Sequence, residues 1–299
     1  MVDFDNMKII LIILLSFIGY SSHAQIGRLE NEYKLSVPDD ETDTLWQYII
    51  DNYGANEVSL SSIKLRGTSS TEIFYDTYFD NNEKILFEKK MGVRHRKRYK
   101  DAQLINEIVQ LKMPKSDDGI IRNEIKFDIK NKLNKTYHRH PLLKFLTNED
   151  ITNLGFYISS LNIRPVELNP EVQLRQNRKR IYLSNSQKEN YLTITLDKVS
   201  NQFFPYQSFT ELEIELNEIR YTDAHEEEKL IMSAVSEELK ESIHTNFPNI
   251  KVNQTPKYNK MNKLINENWL SSIGDGFVWL IYGFIICLAT LKAYKLKFS

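Results

Sequence analysis

The sequence predicts an α+β fold in which a closed antiparallel β-barrel surrounds a polar tunnel, with flanking helices and apolar helical segments at both termini. Three observations support this prediction. Much of the middle of the chain alternates polar and apolar residues with a period of two, which is the spacing of a β-strand. The charged faces of several of these segments carry one sign only, and segments with helical spacing lie between them.

Seven segments show the alternation. For one such strand, an outer sheet face in solvent is the better explanation. Seven strands are different, because like charges repel along a face and single-signed ladders favour facing strands of opposite sign or bound ions. A closed barrel places such strands across one lumen and turns their apolar faces outwards, where helices must cover them. The polar positions are Glu30, Glu32 and Lys34; Arg94, Arg96 and Arg98; Gln110 and Lys112; Arg122, Glu124, Lys126 and Asp128; Arg178, Arg180 and Tyr182; Thr193, Thr195 and Asp197; and Glu211, Glu213 and Glu215.

Three segments predict the covering helices. Residues 39–52 follow Pro38, begin with acidic residues and place Leu45 and Ile49 at helical spacing. Residues 141–156 predict one or two short helices, and residues 222–247 predict a longer amphipathic helix.

Composition excludes several classes of function. The net charge of −1 implies no bulk attraction to nucleic acid, and the basic run at residues 89–100 lacks the pattern of a known nucleic-acid module. The single cysteine, Cys287, excludes disulfides within the chain and thiolate zinc sites. No glycine-rich phosphate loop is present, and no histidine pairs with a serine or cysteine in a triad. Phosphate binding would therefore depend on side chains.

Both ends predict membrane-related segments. Lys8 precedes an apolar run at residues 9–20, and Ser22, His23 and Ala24 suit signal-peptidase cleavage after Ala24. Residues 1–24 are therefore expected to be a signal peptide, with a retained anchor or a core helix as the alternative.

At the other end, residues 277–291 are uninterrupted apolar sequence followed by lysines. A membrane span needs about 17–25 residues, which flanking aromatic residues and Lys292 could complete. We expect a tunnel domain at 25–257, a linker at 258–270 and a transmembrane tail at 271–299. The lysines place the domain outside the cytoplasm, in the periplasm or at the cell surface, with the cytoplasmic face as the alternative.

The ordered motifs resemble one known family. Residues 30–34, ENEYK, match the ExExK motif of the CYTH superfamily, the triphosphate tunnel metalloenzymes, which includes inorganic triphosphatases, thiamine triphosphatases and class IV adenylate cyclases. The resemblance covers about residues 28–250, and residues 131–168 match no family motif. The remaining motifs are DTYFD at 76–80, VRHR at 93–96, QLK at 110–112, Arg122-x-Glu124, RKR at 178–180, TITLD at 193–197 and the glutamates from 211 to 215.

Residue chemistry agrees with what the resemblance implies. Arginine and lysine suit phosphate oxygens, whereas carboxylates suit Mg²⁺ or Mn²⁺, which retain waters and bind substrate phosphates. For Asp197 and Arg122, an ion pair inside the barrel without a catalytic duty is the alternative. The expected substrate-binding residues are Lys34, Arg94, Arg96, Lys112, Arg122, Arg178 and Arg180. Four of these are also expected to be catalytic: Lys34, Arg94, Arg96 and Lys112. The expected metal ligands are Glu30, Glu32, Asp197, Glu211, Glu213 and Glu215.

The expected function is metal-dependent hydrolysis of a triphosphate or short polyphosphate, with roles of charge neutralisation and alignment. Two alternatives stay open. The motifs DTYFD, RIY and TLD also resemble the catalytic domains of polyphosphate polymerases that use ATP, and a membrane-tethered module that only binds polyphosphate would need the same lumen.

Overall fold

The computed structural model describes residues 28–129 and 133–267. Eight antiparallel strands form a closed barrel in the order β1-β6-β5-β4-β3-β7-β8-β9, and β9 pairs with β1 to close it. The predicted barrel is therefore confirmed. The strands are β1 (Arg28–Val37), β2 (Glu57–Leu60), β3 (Ile63–Asp80), β4 (Gly92–Lys100), β5 (Gln103–Pro114), β6 (Ile121–Asp128), β7 (Asn169–Ser184), β8 (Asn190–Asn201), β9 (Ser208–Leu216) and β10 (Lys251–Val252).

Strand β1 closes the barrel by pairing with two strands. Its residues 28–31 pair with β6, and its residues 32–37 pair with β9, so that Glu32 lies opposite Glu215 and Lys34 lies opposite Glu213. Side chains directly opposite each other point to the same face. The acidic positions of β1 and β9 therefore share the lumen, as the charge ladders predict.

Helices cover the outside of the barrel. They are α1 (Thr42–Tyr53), α2 (Ile85–Glu88), α3 (Asn148–Ile158), α4 (Glu218–Asp223), α5 (Glu226–Asn246) and α6 (residues 257–267), with short 3-10 helices at Asp39–Glu41, Leu143–Phe145, Ser159–Leu161 and Pro165–Glu167. The three predicted helical segments overlap α1, α3 and α5. Helices α1 and α3 end one and two residues beyond the predicted segments, and α5 lies within residues 222–247.

Two apolar cores lie between the barrel wall and this cover. One joins α1 and α5 to the outer faces of β1, β7, β8 and β9, including Leu35 and Leu239. The other joins α2 and α3 to β4, β5 and β6, including Val109 and Leu154. Within the barrel, polar side chains occupy the place that apolar ones have in most cores.

Residues 258–267 form part of a helix, whereas the sequence predicted a linker there. They belong to α6, in which Tyr258 and Met261 are fully buried and pack with Tyr78, Leu174 and other residues at one end of the barrel. Lys257 enters the lumen, so the tunnel domain extends beyond residue 257.

Among the described residues, no helix is both long enough and apolar enough to cross a membrane. The predicted signal peptide at 1–24 lies outside the described residues, as does the predicted transmembrane tail at 271–299.

Candidate active site

The barrel encloses a cavity of about 920 Å³, which is within the range of small-molecule sites. It runs from Arg28, Thr222 and Asp223 at one rim to Lys257 and Tyr258 at the opposite end. Since Lys257 and Tyr258 are buried, α6 forms the floor of the tunnel. Ten predicted site residues line the cavity: Glu30, Glu32, Lys34, Arg94, Arg96, Lys112, Arg178, Arg180, Glu213 and Glu215.

Two arginines of β4 are held by one carboxylate of β3. The guanidinium of Arg96 donates to both oxygens of Asp76, with Nε to Oδ1 at 2.7 Å and Nη2 to Oδ2 at 2.6 Å, and Arg94 reaches the same carboxylate at 3.3 Å. Burial alone would raise the pKa of Asp76, but Arg96 and Arg94 outweigh it and hold the pKa at about 2. Both guanidinium groups are therefore fixed in orientation.

A third arginine completes this basic wall from β7. Arg178 donates to both oxygens of Asp197, at 2.7 and 2.5 Å. The ring of Phe74 lies between the two arginine strands, 4.9 Å from the guanidinium carbon of Arg178 and 4.5 Å from that of Arg96. Such contacts with an aromatic face stabilise guanidinium groups without using their hydrogen-bond donors.

Three lysines lie among the glutamates, and one of them, Lys126, has its Nζ 2.5 Å from Glu124. Lys34 Nζ is 2.8 Å from Glu32 and 3.4 Å from Glu213, and Lys112 Nζ is 2.8 and 2.6 Å from the two oxygens of Glu30. The lysines therefore lie beside the carboxylates that would bind a metal ion, and their ammonium groups can also contact a phosphate that binds with this ion.

Four glutamates on β1, β6 and β9, which we name the open-side carboxylates, are Glu30, Glu32, Glu124 and Glu215. Burial and the neighbouring Glu124 raise the pKa of Glu30 well above its usual value, and burial and Glu32 raise the pKa of Glu215. Burial opposes ionisation of Glu32 as well, but Lys34 and Lys112 hold its pKa at about 2. Glu215 has no hydrogen-bond or ion-pair partner among the described residues.

The open-side carboxylates fit a divalent cation. They supply several oxygen ligands, which Mg²⁺ and Mn²⁺ prefer. Burial and neighbouring glutamates raise the pKa of Glu30 and that of Glu215 despite the nearby cations, so a further cation would stabilise the ionised form of these two carboxylates. Carboxylate oxygens of Glu30, Glu124 and Glu218 also lie within 4.8 Å of one another, so Glu218 of α4 adds a donor that the sequence did not predict.

A second acidic group, which we name the closed-end carboxylates, consists of Asp197, Glu211 and Glu213, with oxygens within 4.8 Å of one another. Lys257 Nζ contacts all three, at 3.0 Å from Asp197 and 2.6 Å from Glu213, with Glu211 equally close, and Lys260 lies 2.7 Å from Glu211. Burial favours the neutral amine of Lys257, but these carboxylates raise its pKa well above the usual value. An ammonium group therefore occupies the position that a metal ion would take.

Three predicted residues lie away from the cavity wall. Asp197 and Glu211 are fully buried in the network around Lys257, and Arg122 donates to the carbonyl oxygen of Lys90 at 2.8 Å. For Asp197, the pair with Arg178 favours the structural alternative of an ion pair inside the barrel. The predicted metal role of Asp197 and Glu211 and the phosphate role of Arg122 stay predictions.

Sequence reasoning did not select several residues of the site. Lys260 lies in the predicted linker and Lys257 is the last residue of the predicted tunnel domain. The apolar spacing of Tyr258, Met261 and Leu264 after Pro256, which is typical of a helix, is the sequence pattern that could have identified them. Glu72 of β3, which binds Arg98, lies on no alternating segment.

The site defines a class of protein: a barrel with a closed end whose lumen combines fixed guanidinium groups with buried carboxylates, suited to a polyanion and a cation. No protein-family model matches the chain, and no curated protein matches it in sequence.

Solved structures do resemble it. A Pyrococcus horikoshii protein is similar with a TM-score of 0.45 and 16% identity, over 78% of this chain and 97% of that one. A Hippeastrum adenylyl cyclase-like protein, described as having a dominant triphosphatase activity, has a TM-score of 0.47 and 14% identity, over 79% and 95% of the two chains. The RNA triphosphatase of S. pombe has a TM-score of 0.35 and 13% identity, over 80% and 91%.

These similar structures are of the triphosphate tunnel type that the sequence motifs resemble. Since all three TM-scores lie below 0.5, what the site can do is inferred from the side chains of this chain.

Proposed function

We propose that this protein hydrolyses a triphosphate or a short polyphosphate inside the tunnel, with Mg²⁺ or Mn²⁺ bound by the open-side carboxylates. The observation that carries the proposal is a fixed basic wall in the same cavity as four glutamates, two of which, Glu30 and Glu215, have raised pKa values. A linear polyphosphate has negative charge along its whole length, so it needs cations on several sides at once.

The basic wall binds and aligns the substrate. Arg94, Arg96 and Arg178 already have their guanidinium groups oriented by Asp76 and Asp197, so few rotamers are lost when phosphate oxygens bind. Lys34 and Lys112 stand between this wall and the glutamates and contact the phosphate nearest the metal. These residues stabilise the charge that develops as the terminal phosphoryl group leaves.

Glu30, Glu32 and Glu215 would hold the metal, with Glu124 beside them. When bound, the metal supplies charge neutralisation at phosphate oxygens and lowers the pKa of a bound water. No described side chain is arranged as a covalent nucleophile, so water is the attacking group. Release of Glu30 and Glu32 from their lysines, as phosphate engages Lys34 and Lys112, frees both carboxylates for the cation.

The closed end favours hydrolysis over polymer synthesis. Because α6 forms the floor of the cavity, a polyphosphate enters and leaves through the same rim, next to Arg28 and Asp223. This geometry suits a short substrate whose terminal phosphate reaches the metal. Within residues 28–129 and 133–267 it offers no second exit for a growing polyphosphate chain.

Phosphate release by the full chain in detergent tests the proposal. The substrates are tripolyphosphate, ATP and thiamine triphosphate, each with Mg²⁺, Mn²⁺ or a chelator, and the test variant is Lys34→Ala beside Lys64→Ala, whose side chain is exposed. Metal-dependent release that is lost in Lys34→Ala and kept in Lys64→Ala is the expected result. Chain growth from ATP would instead establish a polymerase, and binding of polyphosphate without turnover in any metal would establish a binding module.

We further propose that the chain is tethered to a membrane through its C-terminal apolar run at 277–291, with the tunnel outside the cytoplasm. The support is the sequence itself: the run contains no charged residue and lysines follow it. Flotation of the full chain with phospholipid vesicles tests the tether, and failure to float would overturn it.

A further inference from the structure

The loop between β8 and β9 exposes a group of aromatic side chains at the closed end of the barrel. Phe203, Phe204 and Tyr206, which we name the aromatic loop, are 66%, 50% and 62% exposed. Three large aromatic side chains exposed side by side form an apolar patch, and contiguous exposed apolar patches mark interaction surfaces.

The loop is built to hold these rings outwards. Asn201 accepts hydrogen bonds from the backbone N–H groups of Phe203 and Phe204 at 2.9 and 3.3 Å, and its amide donates to Gln207 at 2.9 Å. Phe204 and Tyr206 lie edge to face, with ring centroids 6.1 Å apart. The exposure is therefore a feature of an ordered turn.

The aromatic loop lies beside the point where the described chain continues towards its C-terminus. It shares a groove of about 380 Å³ with Ile265 of α6. From residue 267, nine residues (268–276) lead to the apolar run at 277–291. Nine residues span at most about 30 Å, so a bilayer that holds the run is within that distance of the groove.

We propose that the aromatic loop contacts the phospholipid bilayer and that the closed end of the barrel faces the membrane, while the open rim faces solvent. The inference rests on the proposed tether. Tyrosine concentrates at the headgroup level of membranes because its ring is apolar and its tip is polar, which suits Tyr206. Phenylalanine rings bury apolar surface at the boundary between headgroups and acyl chains, which suits Phe203 and Phe204 on the same turn. The orientation leaves Arg28 and Asp223 at the rim free to admit a substrate from the aqueous side.

Site-directed spin labelling of the full chain in phosphatidylcholine and phosphatidylglycerol vesicles tests the contact. In a Cys287→Ser background, a label is attached at Phe204→Cys, and the matched control is Ser186→Cys, an exposed position in the β7–β8 hairpin at the open rim. Unchanged circular dichroism and melting confirm the fold of both variants. The expected result is a several-fold higher ratio of oxygen to nickel-complex accessibility at position 204 than at position 186.

The other outcomes are distinguishable. Equal ratios at the two positions in vesicles that float with the protein would overturn the lipid contact and leave the tether. A label at position 204 that neither reagent reaches would mean that another part of this chain or a second copy covers the loop, which also overturns the contact. Protein that does not float would overturn the tether and the contact together, without bearing on phosphate release.

Discussion

The two acidic groups of the tunnel consist of the same kinds of residue but differ in how far protein cations balance their charge. At the closed end, Lys257 and Lys260 approach the carboxylates of Asp197, Glu211 and Glu213, and the pKa of Glu213 is well below its usual value because Lys257 and Lys34 outweigh the effect of burial. On the open side, lysines hold the pKa of Glu32 and that of Glu124 at about 2, but the pKa of Glu30 and that of Glu215 are raised.

The difference shows that acidic residues alone do not define a metal site. A buried carboxylate needs a cation, and the protein can supply that cation from its own chain or leave the place to a metal. Here α6 supplies the cation at the closed end, and the open side has too few lysines for its glutamates. The metal proposal therefore applies to the open-side carboxylates.

The largest expected effect comes from removing the internal cation. Lys257→Met leaves three buried carboxylates with Arg178, Lys260 and, near Glu213, Lys34 as the remaining cations, and breaking a buried pair in this way costs about 3–5 kcal/mol of unfolding free energy. Urea unfolding measures the loss. In this variant, Mn²⁺ should also raise the unfolding midpoint more than in the original protein, because the closed-end carboxylates become free to bind it.

Lys263→Met is the matched control for this change, since Lys263 lies on the same helix with its side chain 74% exposed. Its unfolding free energy should change by no more than about 0.5 kcal/mol. A Lys257→Met protein that is as stable as this control would show that α6 does not neutralise the closed end.

The second prediction concerns the open side. Glu30→Gln combined with Glu32→Gln should lower turnover by about 10²–10³-fold, comparable to the loss of an electrostatic group aimed at the transition state. Phosphate release in Mg²⁺ measures it, with the exposed Glu57→Gln as control. Glu211→Gln at the closed end should keep a metal-dependent rate. Turnover in Mg²⁺ that survives the double substitution would show that these glutamates do not hold the metal.

The fold was largely predictable because seven barrel strands separate polar and apolar residues onto two faces. The eighth, β3, was not found by this pattern, since it places Phe74 and Tyr78 on the lumen face and Tyr75 and Phe79 on the other. With large apolar residues on both faces, a strand shows no alternation. The motif at residues 76–80 located this strand only through the family resemblance.

The site was predictable to the extent that strand alternation determines which side chains face the lumen. Which carboxylate pairs with which cation could not be predicted, because the partners lie far apart in sequence. Lys257, for example, reaches Asp197 across 60 residues and does so only because α6 folds back under the barrel. Without knowledge of that contact, the sequence does not distinguish the closed-end carboxylates from the open-side carboxylates.

The third prediction concerns the pH dependence of metal binding by the open-side carboxylates. Glu30 retains its proton above the ordinary glutamic acid pKa of 4.5, so a metal must displace that proton, and affinity should rise about tenfold per pH unit until Glu30 is ionised. Glu215, whose pKa is also raised, adds to this slope, whereas Glu32 and Glu124, with pKa values of about 2, add none in this range. Mn²⁺ binding followed by electron paramagnetic resonance from pH ~4.5 to ~7.5 measures the slope. The slope should flatten in Glu30→Gln, and an unchanged slope would exclude Glu30 as the titrating ligand.

The smallest expected effect tests how α6 is fastened to the floor of the tunnel. The Tyr258 hydroxyl donates to Asp80 at 3.0 Å, but that carboxylate also accepts from the backbone N–H groups of Asn81, Leu86 and Phe87. Tyr258→Phe should therefore cost only about 1 kcal/mol in urea unfolding, because Asp80 keeps its other donors and the ring keeps its stacking on Tyr78. Tyr206→Phe, in the exposed aromatic loop, is the matched control and should be neutral. A loss as large as that of Lys257→Met would show that this hydroxyl, and not the ion pairs of Lys257, holds the closed end together.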